Sequence, residues 1–211
     1  QGIDSVTVLK NHDEDDAGVT TITGQVLATI PVGRAPHNII FRPDGRYAYV
    51  ANMSTPPDAG TISVIDTTSY QVVATVKAGV KPHGLGMTPD GQYLWVANEK
   101  SNDVSVMSTS TNSVEPQTIP VGTGPLLVAF TPDGKKAYVS LGSAGSTAVV
   151  DVASRSVVKT ITTGQGAMGL VVQADGRYAF ETEGTANRVS RIDTSTDTVA
   201  DVLTYDGTLV E

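Results

Sequence analysis

The chain contains no cysteine. That one absence excludes disulfides, zinc–thiolate and iron–sulfur sites, and a thiol nucleophile. Histidine is almost as scarce, with His12, His37 and His83 the only three, so little imidazole is at hand for acid–base or metal chemistry. Lysine and arginine total 14 of 211 residues against 22 aspartates and glutamates, for a net charge of −8, and no basic run exceeds Lys135-Lys136. A surface of that sign argues against a nucleic-acid partner, whose phosphates demand basic patches. No stretch approaches the ~18 apolar residues needed to span a membrane as a helix. Helical periodicity is absent as well. Thr, Ser, Val and Gly dominate, as befits strands joined by polar turns.

What is present is a repeat. Residues 31–77, 78–119, 120–161 and 162–203 are four versions of one unit. Their shared glycines, Gly33, Gly79, Gly122 and Gly164, lie 46, 43 and 42 residues apart. Each unit carries four strand signals. A short apolar segment (37–41, 83–87, 126–130, 168–172) precedes a turn, Pro43-Asp44-Gly45, Pro89-Asp90-Gly91, Pro132-Asp133-Gly134 or Ala174-Asp175-Gly176. There Pro presets φ, Asp bonds downstream backbone and Gly takes the left-handed position. A second segment holds one aromatic slot: Tyr49, Trp95, Tyr138, Phe180. The third alternates with period two, as in Thr61-Ile62-Ser63-Val64-Ile65-Asp66, and the fourth covers 72–76, 117–119, 157–161 and 199–203. A strand-built period of 40-odd residues predicts an all-β protein, a β-propeller of four-stranded blades.

Residues 1–30 align with the third and fourth strands of a blade, with an insertion at 11–18 between them, and 204–211 with the start of a first strand. The expectation is a single propeller domain over 1–211, with a half-blade, four whole blades and the beginning of another. An open stack leaves blade faces and strand edges bare. The chain is therefore expected to be part of a larger ring, about seven blades and on the order of 300 residues at this period. A compact ring of about five blades that pairs the two chain ends is the alternative. Further blades or another chain would complete the larger ring.

The run Tyr49-Val50-Ala51-Asn52, echoed by Trp95-Val96-Ala97-Asn98 and Tyr138-Val139-Ser140, resembles the YVTN β-propeller repeat family, surface-layer-like proteins built from 40-residue repeats. Pro36-His37, Pro82-His83, the Pro-Asp-Gly turns and Ser63-Val64-Ile65-Asp66 fit it too. The resemblance covers 31–203 and part of the N-terminal half-blade. Repeat four departs from it with Phe180-Glu181-Thr182-Glu183, so its blade edge is expected to be unusual. The family includes archaeal surface-layer proteins, secreted bacterial proteins and propeller domains of periplasmic redox enzymes. The resemblance therefore implies an exported setting, extracellular, at the cell surface or periplasmic, without fixing an activity.

Two site candidates stand out. Residues opening the first strands, His37, His83, Leu126 and Met168, fall at equivalent positions and would ring one channel mouth. Two imidazoles and a thioether suit copper, and histidine suits a haem-type cofactor capping the channel. The plainer reading is that these histidines bond a neighbouring blade's backbone. The acidic insertion Asp13-Glu14-Asp15-Asp16, after His12, offers hard oxygen ligands for calcium, though without the spacing of an EF-hand loop. The plainer reading there is a solvated loop. Asp44, Asp90, Asp133 and Asp175, and likewise Asp66, Asp151 and Asp193, read as turn formers. Asn52 and Asn98 read as bonding local backbone. No Gly-x-Ser-x-Gly elbow, Walker loop or His-Glu-x-x-His occurs. The sequence thus points first to a non-enzymatic scaffold. It would bind a protein or small-molecule ligand through loops on one face, 53–60 (with Pro56-Pro57) and 11–23. A periplasmic redox propeller holding copper or haem comes second, and a lactonase-like or lyase-like hydrolase third.

Overall fold

The structure, a computed structural model, describes residues 4–10, 13–14, 20–21, 24–54 and 57–204. Four antiparallel sheets follow one another along the chain. Blade I is Pro36–Phe41, Tyr47–Asn52, Ala59–Asp66 and Gln71–Val80. Blade II opens with Pro82–Met87, Tyr93–Asn98 and Asp103–Ser108. Blade III is Pro125–Phe130, Lys136–Leu141, Ser146–Asp151 and Ser156–Thr162. Blade IV is Ala167–Val172, Tyr178–Glu183, Arg188–Asp193 and Thr198–Thr204. In every blade the strands pair in chain order. This is the propeller-blade architecture read from the repeat.

Blade II departs from the expected pattern in its last strand. Two short pieces, Ser113–Val114 and Ile119–Pro120, both pair with Asp103–Ser108. Pro116 lies between them and has no N–H for a ladder, which explains the break. Arg155 of blade III closes on Glu115 at this gap.

First strands of successive blades lie side by side. The Asn38 side chain of blade I accepts a bond from Leu85 N of blade II at 3.1 Å. Gly84 sits so near Leu126 of blade III that a Cβ would overlap its carbonyl oxygen. Large apolar side chains fill the space between blades. Tyr49, Trp95 and Tyr138 are buried, each pointing to the next blade. Trp95 meets Phe130 edge-on at 5.1 Å, a favoured aromatic geometry.

The Asp of each Pro-Asp-Gly-type turn accepts a bond from the backbone two residues on, with Arg46, Gln92, Lys135 and Arg177 as donors. Asp66, Asp151 and Asp193 accept likewise from backbone two or three residues on, with Thr68, Ser154 and Ser195 as donors. The carboxylates that repeat along the sequence are thus committed to turns.

The repeated glycines have a different cause. The segment entering each blade crosses the last residue of that blade's second strand. A Cβ on Gly79 would stand 2.5 Å from the Asn98 side chain, and one on Gly33 2.7 Å from Asn52. In return, Asn98 Oδ1 accepts Gly79 N at 3.1 Å and its Nδ2 donates to Asp103 and Ser105, both at 2.8 Å. Asn52 donates to Thr61 and Ser63. The expected bond to local backbone is thus present for Asn98 only; the Asn52 side chain bonds the two hydroxyls, and its Oδ1 has no partner among the described residues. We expect Gly79→Ala to cost about 2 kcal/mol through overpacking. In an Asn98→Ala background that cost should fall by about half or more, as measured by a double-mutant cycle in urea.

Candidate functional site

Each first strand carries a β-bulge at the same place. Pairing skips one residue between Pro36 and Asn38, between Pro125 and Leu127, and between Ala167 and Gly169, and blade II shifts likewise between Val96 and Asn98 of its second strand. The extra residues are His37, Leu126 and Met168, with His83 in the corresponding stretch. A bulge re-aims a side chain out of the pleat. The sequence placed these four at one mouth, and the bulge is what turns them from the ladder.

The structure brings His37 and His83 together, with ring centroids 4.0 Å apart and planes tilted by 47°. His83 Nδ1 lies 3.2 Å from the Leu126 carbonyl oxygen of blade III. A carbonyl only accepts, so Nδ1 carries the proton and Nε2 keeps its lone pair. The neighbouring-blade backbone bond is therefore present, and it leaves one nitrogen available. Burial, then the nearby His37 ring, holds His83 below the ordinary histidine range, against the pull of the Leu126 carbonyl. Met168 is exposed on blade IV, beyond Leu126 in the same series. Among the described residues, no three His, Asp or Glu side chains cluster as a metal site would require. Of the acidic insertion, Asp13–Glu14 pairs with Thr20–Thr21 as a short hairpin. Asp15, Asp16 and His12 lie outside the described residues.

Strand order corrects the expectation that 53–60 and 11–23 share a face. The 53–60 loop leaves Asn52, which pairs with Pro36 at the histidine end. The 11–23 segment connects Ser5–Leu9 to Val26–Pro31 at the sheet end where Leu9 pairs with Val26. That end corresponds to Ile65 and Val72 in blade I, the Pro-Asp-Gly side. The described strands thus end toward opposite faces at these two segments, because 53–60 joins strands two and three and 11–23 joins strands three and four; 11–12, 15–19, 22–23 and 55–56 themselves lie outside the described residues.

On the Pro-Asp-Gly side, a cleft of about 460 Å³ between blades I and II is lined by Arg42, Asp44, Asp90 and Tyr93. A similar cleft of about 300 Å³ recurs between blades III and IV. Its recurrence marks it as a product of the repeat.

Blade IV holds the feature the sequence signalled without explaining. Glu181 and Glu183 replace the Val and Asn of blades I and II, and both are fully buried. The departure lies in the interface with blade III, not at a blade edge. Glu183 takes over the asparagine's lock, binding Arg188 and accepting Ser190 Oγ at 2.5 Å. Glu181 stands where Val50, Val96 and Val139 are packed. Its Oε2 accepts Thr147 Oγ1 of blade III at 2.8 Å, while Oε1 has no partner among the described residues. Burial pushes its carboxyl up to about 7 against the nearby Thr163 and Thr147 hydroxyls, and the Glu183 charge adds to the rise.

The folded carboxyl thus holds its proton better than the unfolded one, whose ordinary value is near 4.5. Its contribution is fully present at low pH and is lost as pH rises from about 4.5 to about 7. That window corresponds to a cost of up to about 3 kcal/mol once Glu181 ionises. Glu181→Val, restoring the residue of the other blades, is expected to raise the melting temperature clearly at pH 8 and much less at pH 5. Thermal melts at both pH values measure it.

No family profile matches the chain, and no curated protein matches it. Among solved structures it is similar to a chain of Kuenenia stuttgartiensis hydrazine synthase, with a TM-score of 0.73 and 28% identity over 80% of this chain and 48% of that one. The chain thus spans about half the length of the chain it matches. Because 1390 solved chains match, the likeness speaks for the fold and leaves the activity to the site.

Proposed function

We propose that this chain is part of an exported β-propeller of the YVTN repeat kind. It works as a non-enzymatic binding scaffold at the cell surface or in the periplasm, with further blades or another chain completing the ring. The observation that carries the reading is the bulge repeated in each inner strand. The bulge holds the backbone alike in every blade while the side chain it presents changes: His37, His83, Leu126, Met168. A constant frame with a varied mouth is the arrangement by which repeat proteins bind a protein or small-molecule ligand. The negative balance of the chain, −8, favours a partner other than nucleic acid.

Photo-crosslinking in the native cell envelope tests this. A crosslinking amino acid at position 37 or 168 should capture a discrete partner, and one at position 44, on the opposite face, should not. Equal capture at all three positions would overturn the reading, as would recovery of the protein in the cytoplasmic fraction.

The His37–His83 pair favours a second reading, a propeller portion of an enzyme, as the likeness to a chain named hydrazine synthase also suggests. In that reading His37 and His83 bind copper or face a haem-type cofactor at the channel mouth, with Met168, the fourth residue of the series, as a third ligand. The Leu126 carbonyl would orient His83 from behind. Copper(II) titration should then show one tight equivalent that His37→Ala and His83→Ala each weaken by about tenfold or more. Unchanged affinity in both variants would sink it. Calcium at Asp13–Asp16 is a separate expectation, and a melting temperature unmoved by calcium counts against it.

A further inference from the structure

The cleft of about 460 Å³ between blades I and II owes its place to the repeat, but its lining departs from the repeat at two positions. The first is Arg42. At the entry to each Pro-Asp-Gly-type turn one residue donates its N–H to the carbonyl five residues on, and Thr88, Thr131 and Gln173 hold that place in the later blades. The second is Ser108. The residue paired with the start of the second strand is Asp66 in blade I, Asp151 in blade III and Asp193 in blade IV, but Ser108 in blade II, opposite Tyr93. The three aspartates fold back onto their own turns. Ser108 is shorter and uncharged, and its hydroxyl meets only that of Ser110, at 3.0 Å. Two departures, one from each blade, thus face a single cleft.

The polar groups around it are held in place, yet several keep bonding capacity. Arg42 Nε donates to Asp44 Oδ1 at 2.8 Å, Nη2 closes on Oδ2, and the guanidinium lies 4.7 Å from the centroid of the Tyr47 ring. Asp44 offsets the charge of Arg42, while Nη1 keeps its protons for another acceptor. On the blade II side, Thr88 Oγ1 and Gln92 N bond only Oδ1 of Asp90, at 2.6 and 2.9 Å. Asp90 Oδ2, the Gln92 side-chain amide and the Tyr93 hydroxyl have no hydrogen-bond partner among the described residues. The Thr88 hydroxyl, then the Gln92 N–H, hold Asp90 below the ordinary carboxylate range, so it is an acceptor at neutral pH. Arg155 of blade III lies 5.4 Å from the Tyr93 ring centroid and steadies it.

We propose that this cleft binds a neutral saccharide, with Arg42, Asp90, Gln92 and Tyr93 bonding its hydroxyls. A sugar hydroxyl donates and accepts at once, and a sugar ring presents such hydroxyls in adjacent pairs. Planar groups with polar atoms side by side match those pairs, and guanidinium, carboxylate and amide all stand here with capacity left. An anion meets the open oxygen of Asp90 and an Arg42 already paired with Asp44. A cation meets Arg42. A peptide finds no strand edge to add to, because the lining residues lie in turns and in the paired strand ends Tyr93 and Ser108. The volume falls within the ~300–1,000 Å³ of small-molecule sites. The site lies on the face opposite His37 and His83, so it goes beyond the reading above and does not rest on it.

The test applies the fluorescently labelled full chain to an array of neutral, sulfated and sialylated glycans, and then titrates the neutral glycan of strongest signal by calorimetry. We expect signal on neutral glycans. The affinity should fall by about tenfold or more in Gln92→Ala, and likewise in Ser108→Asp, which restores the residue of the other three blades. Gln92 is exposed and Ser108 partly so, and both variants should melt within about 2 °C of the parent. His37→Ala should leave the sugar affinity unchanged, which separates this site from the histidine mouth. An array without neutral signal overturns the inference, and so does an affinity that Ser108→Asp leaves unchanged. Preference for sulfated or sialylated glycans, or displacement of the glycan by inorganic phosphate, overturns it in favour of an anion site on Arg42.

Discussion

A four-stranded blade has two apolar faces and can bury neither by itself; everything else in this protein depends on stacking the next blade against it. Each second strand serves both sides. Its aromatic points forward, as Tyr49, Trp95 and Tyr138 do, and its aliphatic residues point back, as Val50, Val96 and Val139 do. Buried apolar area is the main favourable term in folding. In this arrangement it accumulates by interface rather than by blade, which is why the repeat must be regular in spacing although its residues vary.

Polar groups fix the geometry that the apolar contacts leave loose. At the end of each second strand a residue meets the glycine of the entering segment, and that meeting sets how closely the chain wraps over its own blade. Asparagine does this in blades I and II by bonding hydroxyl or carboxylate neighbours, Leu141 does it in blade III by packing alone on Gly122, and Glu183 with Arg188 does it in blade IV. The same position thus tolerates a neutral lock, an apolar one and an ionic one, provided the glycine opposite is kept. Glu181 is the exception to this economy. It places an acid, one oxygen of which has no partner among the described residues, in an interface that its counterparts fill with valine, and the interface accommodates it by favouring its proton.

Much of this was legible in the order of residues. The Pro-Asp-Gly turns and the period-two third strands announced blades, since both depend on local backbone chemistry that needs no partner. The pairing of His37 with His83 followed from their equivalent places in successive repeats. What was not legible depended on distance. Nothing local distinguishes a bulged residue from its neighbours, because a bulge is defined by the strand opposite. The faces to which 11–23 and 53–60 belong are set by which pair of strands each joins, and the sequence offered only their lengths. Glu181 and Glu183 looked like an altered blade edge because alternation cannot say which face meets a neighbouring blade.

The sequence by itself determined the unit: a strand–turn–strand grammar of 40-odd residues, repeated, with glycine, aspartate and aromatic slots at fixed offsets. Those features arise from φ preferences, side-chain-to-backbone bonds and the period of a pleated strand, all of which act within a few residues. The tertiary structure alone decided which slots became cores, which became locks and which became open surface. Exposure of Phe41 against burial of Trp95 and Leu85 is settled by whether another blade stands alongside, and burial is a property of neighbours far away in sequence.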